Sequence, residues 1–121
     1  MVDFSGSTCC TILIKGKTLF VANTGDSRAI IINAQKKITE LSTDQTPSLP
    51  TEMSRIIKNG GVIHPVLHPT TLSYQGPARV WLPNQQVPGL AMSRSIGDSI
   101  AHSVGVIATP EVKEYVLGLD D

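Results

Sequence analysis

The first third of the chain sets short β-branched and apolar runs against polar turns. Thr8 to Ile14 reads as a strand, Lys15-Gly16-Lys17 as a turn, and Thr18 to Asn23 as a second strand. Thr24-Gly25-Asp26 makes another turn, Arg28 to Asn33 a third strand, and Ile38 to Leu41 a short fourth after a polar loop. The pattern then changes period. Met53, Ile56 and Ile57 fall at i, i+3 and i+4, which predicts a helix over about 50–59. Pro50 suits its first turn, Glu52 the positive end of its dipole, and Asn59-Gly60-Gly61 its stop. From Val62 to Val87 four prolines (65, 69, 77 and 83) exclude a long helix, and the stretch reads as irregular. A loop of that length is expected to be functional, in the manner of a flap. Strands are expected again at Leu90 to Arg94, Val104 to Ala108 and Val112 to Leu117.

This pattern has too many strands for its helices. Continuous apolar runs want cover on both faces, yet one amphipathic helix is present. A sheet with so little to pack against implies further layers, so the chain reads as an interior piece of a larger domain.

Composition narrows the function classes. A chain of 121 residues suits one domain with its own core. No apolar stretch approaches the roughly 20 residues of a membrane span, and the start lacks the basic and apolar regions of a signal peptide. Ten basic and ten acidic residues balance, and Lys36-Lys37 is the only adjacent basic pair. Nucleic acid and anionic membranes are therefore not expected as partners, since both need clustered positive charge. Cys9 and Cys10 are adjacent and point to opposite sides of a strand, so they read as small apolar residues in a reducing, intracellular compartment, cytoplasmic or nuclear.

The candidate chemistry lies in two acidic turns. Asn23-Thr24-Gly25-Asp26-Ser27-Arg28 and Ser93-Arg94-Ser95-Ile96-Gly97-Asp98 each put a carboxylate directly after a glycine, beyond an apolar run. A hard divalent cation takes one or two such oxygens and keeps several waters. One Gly-Asp pair is ordinary turn chemistry; two in this order carry more.

With their neighbours these turns resemble the metal-dependent type 2C serine/threonine protein phosphatases. Gly6-Ser7-Thr8 resembles that family's strand start, and Leu19 to Ala29 its Gly-Asp-Ser-Arg segment. Thr43-Asp44-Gln45-Thr46-Pro47 is similar to its Asp-His-x-Pro element, with Gln45 in place of His. Glu52, Arg55-Ile56 and Gly60-Gly61 continue the series. Arg79-Val80 leads to Gly89 through Asp98, similar to its Leu-Ala-x-Ser-Arg-x-x-Gly-Asp motif, and Pro110-Glu111-Val112 to its Pro-Glu-Val entry.

The resemblance implies an α+β fold, a layered β-sandwich of two antiparallel sheets flanked by helices, here incomplete, with 45–88 as helix plus flap. It implies hydrolysis of phosphoserine and phosphothreonine in phosphoprotein substrates by water activated on two or more Mg²⁺ or Mn²⁺ ions. Asp26 matches an aspartate of an accessory metal site; the plainer reading is a hairpin Asp bonded to its own turn. Asp98 and Gly25 match supporting positions beside the centre. Arg28 and Arg94 have the chemistry of a phosphate clamp, but the family's phosphate-binding arginine lies in an upstream segment, so both are expected to pair locally. His64 and His68 are four apart, yet the prolines that follow each speak against a shared helical metal face. His64, Tyr74 and Trp81 fall in the flap, where they contact substrate or pack the loop. The segments that carry most of the family's metal ligands are not among these 121 residues, so weak or no catalysis is expected of this chain by itself. A non-catalytic binding module of pseudophosphatase type is the alternative reading.

Overall fold

Short strands make up most of the regular structure in the computed structural model, which describes residues 2–121. The first half runs β1 (Gly6–Ser7), β2 (Cys9–Lys15), β3 (Thr18–Thr24), β4 (Ile30–Ile32), β5 (Ile38–Glu40) and α1 (Pro50–Lys58). The second half runs β6 (Val62–Leu67), β7 (Tyr74–Trp81), β8 (Pro88–Leu90), β9 (Ile96–Gly97), α2 (Ser99–His102) and β10 (Glu111–Val116). All strand pairs are antiparallel, in sheets ordered β1-β9, β10-β3-β2, β4-β5 and β6-β7-β8.

Two small cores result. Leu19 and Val21 on β3 meet Ala29 and Leu41, with Cys10, Ile31, Tyr115 and Leu117 packed around them. Ile56 on α1 meets Val80, Ala101, Val104 and Val106, flanked by Ile63, Leu82 and Leu90. The opposite face of the β10-β3-β2 sheet leaves Leu13, Val112 and Val116 exposed. That uncovered apolar face matches the shortage of layers in the sequence pattern. Cys9 and Cys10 are free thiols, each half-buried.

Four expectations need correction. Val62 to Val87 is regular for much of its length, because β6 and β7 pair there, and β8 extends their sheet from Pro88. Its prolines sit where no ladder hydrogen bond is needed. Pro65 lies at the irregularity between His64 and Val66 on the edge strand, and Pro77 in the unpaired stretch facing it. Strand Leu90 to Arg94 ends at Leu90. Val104 to Ala108 is turn and coil, and its β-pairing among the described residues is limited to one parallel bridge, Arg94 to Ile107. On α1 the buried stripe is narrower than the spacing implied: Ile56 is fully buried and Met53 half-buried, but Ile57 is exposed. The stop is as expected, with Gly60 left-handed at φ 85° and Gly61 N–H donating to Ile56 O.

Candidate functional site

Both Gly-Asp turns open into one cleft of 370 Å³, lined by Asp26, Asp98, Thr8, Arg79 and the stretch from Pro88 to Met92. Asp26 stands at the end of β3, exposed. Other groups hold its turn. Asn23 Nδ2 donates to Gly25 O at 3.1 Å, and Gly25 N–H donates to Gln45 Oε1 at 2.6 Å. Gly25 has φ 106°, and a Cβ there would overlap the Thr8 side chain, so glycine is required by conformation and by space.

Asp98 follows β9 and precedes α2 in the left-handed region, φ 47° and ψ 47°. It is 6% exposed, makes no side-chain cap to α2, and its Oδ2 is buried without a hydrogen-bond partner. Its backbone is pinned instead, with Asp98 N–H donating to Ser5 O at 2.8 Å. A Cβ at Gly6 would overlap the Asp98 carboxylate, so the β1-β9 pairing brings a bare glycine against it. A buried carboxylate oxygen with no partner is costly and calls for a ligand or a structural reason.

The elements between the two turns brace them. Gln45, 2% exposed, donates from Nε2 to Asn23 O at 3.0 Å, and its carbonyl accepts from Ser93 N–H at 3.0 Å. Glu52, 1% exposed, accepts from Arg94 Nε at 2.6 Å, from Ser93 Oγ at 3.2 Å and from Arg55 Nη1. Burial alone would raise the Glu52 carboxyl, but the hydrogen bonds and charges of Arg94 and Arg55 outweigh it and hold the carboxyl below the usual glutamate range. Glu52 and Gln45 were legible only as a helix-start acid and a motif departure; no local pattern marks a residue that bridges two distant segments.

The arginines sort cleanly. Arg28 pairs with Asp44 at 2.7 Å and Glu40 at 3.3 Å, and its hydrogen bond holds the Asp44 carboxyl below its usual range. Arg94 pairs with Glu52 and donates to Thr109 O at 2.8 Å. Both therefore pair locally, as expected. Arg79, which carried no functional expectation, is the lining residue that sequence reasoning missed.

A second cleft of 630 Å³ lies on the β6-β7 sheet and gathers His64, Tyr74 and Trp81. His64 stacks on Trp81 with ring centroids 5.1 Å apart, and tilts toward Tyr74 at 5.6 Å. Trp81 Nε1 donates to His64 O at 2.8 Å. His68 lies apart, its Nδ1 accepting from the backbone N–H groups of Thr70 and Thr71. Among the described residues no three His, Cys, Asp or Glu side chains converge on one point.

A family model for protein phosphatase 2C matches residues 2–121. The chain belongs to the protein phosphatase 2C family. Among curated relatives it is 42% identical to probable protein phosphatase 2C 61 of Arabidopsis thaliana, over 97% of this chain and 36% of that protein. Probable protein phosphatase 2C 73 of Oryza sativa subsp. japonica is 39% identical over 97% of this chain and 28% of its own length. The chain thus spans about a third of the curated relatives it matches. The fold agrees: a serine-threonine phosphatase 2C from Toxoplasma gondii superposes with TM-score 0.78 at 22% identity, over 98% of this chain and 39% of that one. The α+β class and the sheet-rich, helix-flanked architecture expected from the sequence are those of the protein phosphatase 2C fold, of which this chain holds a part.

Proposed function

We propose that this protein is a metal-dependent serine/threonine phosphatase acting on phosphoproteins, with residues 1–121 forming part of the catalytic domain and 45–88 its helix and flap. The observation that carries the reading is the convergence of two Gly-Asp turns on one cleft, with Asp98 Oδ2 buried and unpartnered, in a chain of this family. Two carboxylates and room for water suit Mg²⁺ or Mn²⁺, which bind proteins through one or two carboxylates and retain waters. Asp26 would serve as an accessory ligand, with Asp98 and Gly25 supporting the site. When bound, such ions make water nucleophilic at neutral pH and neutralise charge on a transferring phosphoryl group. The chain's own residues shape the rest. Gln45 and Glu52 set the separation of the turns, Gly6 leaves room for the Asp98 carboxylate, and the His64–Tyr74–Trp81 cleft offers an apolar surface to the peptide around a phosphorylated residue. The free thiols at Cys9 and Cys10 support an intracellular setting, cytoplasmic or nuclear.

The test uses the protein expressed from its complete reading frame. Phosphoserine peptide should be hydrolysed in manganese, chelation should abolish turnover, and Asp26→Ala should lower kcat by roughly 10- to 100-fold. Absence of manganese-dependent hydrolysis would sink the reading. Phosphopeptide binding without turnover would favour the non-catalytic binding module instead.

A further inference from the structure

The sequence contains four arginines: Arg28, Arg55, Arg79 and Arg94. Three of them meet carboxylates: Arg28 on Asp44 and Glu40, Arg55 and Arg94 on Glu52. Arg79 has no carboxylate within ion-pair distance among the described residues. Its Nη1 donates to Gly89 O at 2.8 Å, while its Nε is buried with no hydrogen-bond partner. Guanidinium is never deprotonated in a protein, so this charge cannot be relieved by losing its proton. Arg79 lines the cleft shared by Asp26 and Asp98, and Asp98 Oδ2 is the other orphan there. Two opposite charges line one cleft and leave each other unpaired. Each is therefore set for a ligand of the other sign, a cation for the aspartates and an anion for the arginine.

We propose that Arg79 binds the phosphoryl group of the substrate. The proposal rests on the phosphatase reading above and adds a phosphate-binding residue within this chain. A phosphorylated side chain fits the pairing, because its oxygens accept charge-assisted hydrogen bonds from guanidinium while also facing bound cations. The strand register supplies the direction of the attached peptide. His64 lies opposite Arg79 and Val62 opposite Trp81, so His64, Arg79 and Trp81 share one face of the β6-β7 sheet. The opposite face carries Ile63 and Val80 into the core with Ile56. A phosphoserine held at Arg79 thus places its flanking residues toward the His64–Trp81 cleft, whose lining holds no Asp, Glu, Lys or Arg, and an apolar flank fits that lining.

The experiment observes arginine Nε–H resonances by NMR in the protein expressed from its complete reading frame, with Arg79→Lys assigning the Arg79 signal. A phosphoserine peptide with apolar flanks should shift the Arg79 Nε–H and leave those of Arg28 and Arg55 in place, while the same peptide with plain serine should not. Arg79→Gln should weaken phosphopeptide binding about 10- to 100-fold, the range for hydrogen bonds to charged groups. Equal affinity in Arg79→Gln, an unmoved Arg79 resonance at saturation, no phosphopeptide binding, or an equal response to plain serine would each overturn the proposal. The wild-type measurement stands even where the variant folds poorly. The two readings also fail separately. An unmoved Arg79 beside manganese-dependent turnover in the complete protein removes this assignment alone, whereas a phosphate-responsive Arg79 without turnover removes the phosphatase reading alone.

Discussion

Replacing Glu52 by Gln isolates the charge at the centre of the brace. The substitution keeps the side chain's size and leaves Oε1 able to accept from Ser93 Oγ, but removes the negative charge facing Arg94 and Arg55. The Glu52 side chain is 2% exposed, and its partners Arg55 and Arg94 are 21% and 19% exposed. Breaking a buried pair from one side typically costs about 3–5 kcal/mol, because the remaining charge is left buried and unmatched. Here the low end applies. Both arginines reach some water, and each keeps carbonyl acceptors: Thr109 O for Arg94, Gly105 O and Ser93 O for Arg55. A loss of about 3 kcal/mol should lower the urea midpoint of the 121-residue chain by roughly 1–3 M, given a slope of about 1–3 kcal/mol per molar. A loss under about 1 kcal/mol would refute the reasoning, since it would mean that Glu52 contributes only as a solvated surface pair would.

The same residue fixes the sign of a pH effect. Its folded-state pKa is depressed, so its contribution is fully present above the unfolded value near 4.3 and is lost as pH falls through the lower folded value. Wild-type stability should therefore fall below about pH 4.5 more steeply than that of Glu52→Gln, and the two curves should converge in acid.

Two further substitutions test the supports of the clefts. Gln45→Leu leaves Gly25 N–H and Asn23 O buried without their partner, at about 1–3 kcal/mol each, and thermal unfolding should report the loss; a shift within error would show that water replaces the amide. Gly89→Ala places a methyl 2.9 Å from Trp81 ring carbons at a residue with φ 68°, so it should cost about 1–2 kcal/mol and change the emission of Trp81, the single tryptophan; unchanged emission would contradict the packing.

What was legible in the sequence follows from how locally each feature is encoded. The β2-β3 hairpin, the helix from Pro50 and its glycine stop depend on neighbours in the chain, so period and turn residues revealed them. The β6-β7-β8 sheet was missed because its prolines were weighed only as helix breakers, whereas an edge strand and an irregular register accommodate them. The Gly-Asp turns stood out by composition, but that they share a cleft depends on the β1-β9 pairing across about 90 residues of sequence. Arg79 was invisible for the complementary reason: its significance is that no carboxylate among the described residues pairs with it, which no sequence pattern records.

The spacing of the two turns rests on polar contacts more than on either core. Gln45 bonds to Gly25 and Asn23 at the first turn and to Ser93 at the start of the second. Seven residues later Glu52 takes Ser93 Oγ and Arg94, and Arg55 takes Ser93 O, so this one segment grips the second turn from three side chains or backbone groups. Such bonds are directional where apolar packing is not, and a fully satisfied buried network specifies one geometry. Three buried side-chain atoms among the described residues lack a partner: the neutral Asn23 Oδ1 within that network, and the charged Asp98 Oδ2 and Arg79 Nε beside the cleft. A fold that satisfies Glu52 with two arginines and Gln45 with four backbone groups does not lack donors or acceptors nearby. Leaving two opposite charges unpaired at the one place where the turns meet is the arrangement expected of a site whose last partners are a cation and an anion.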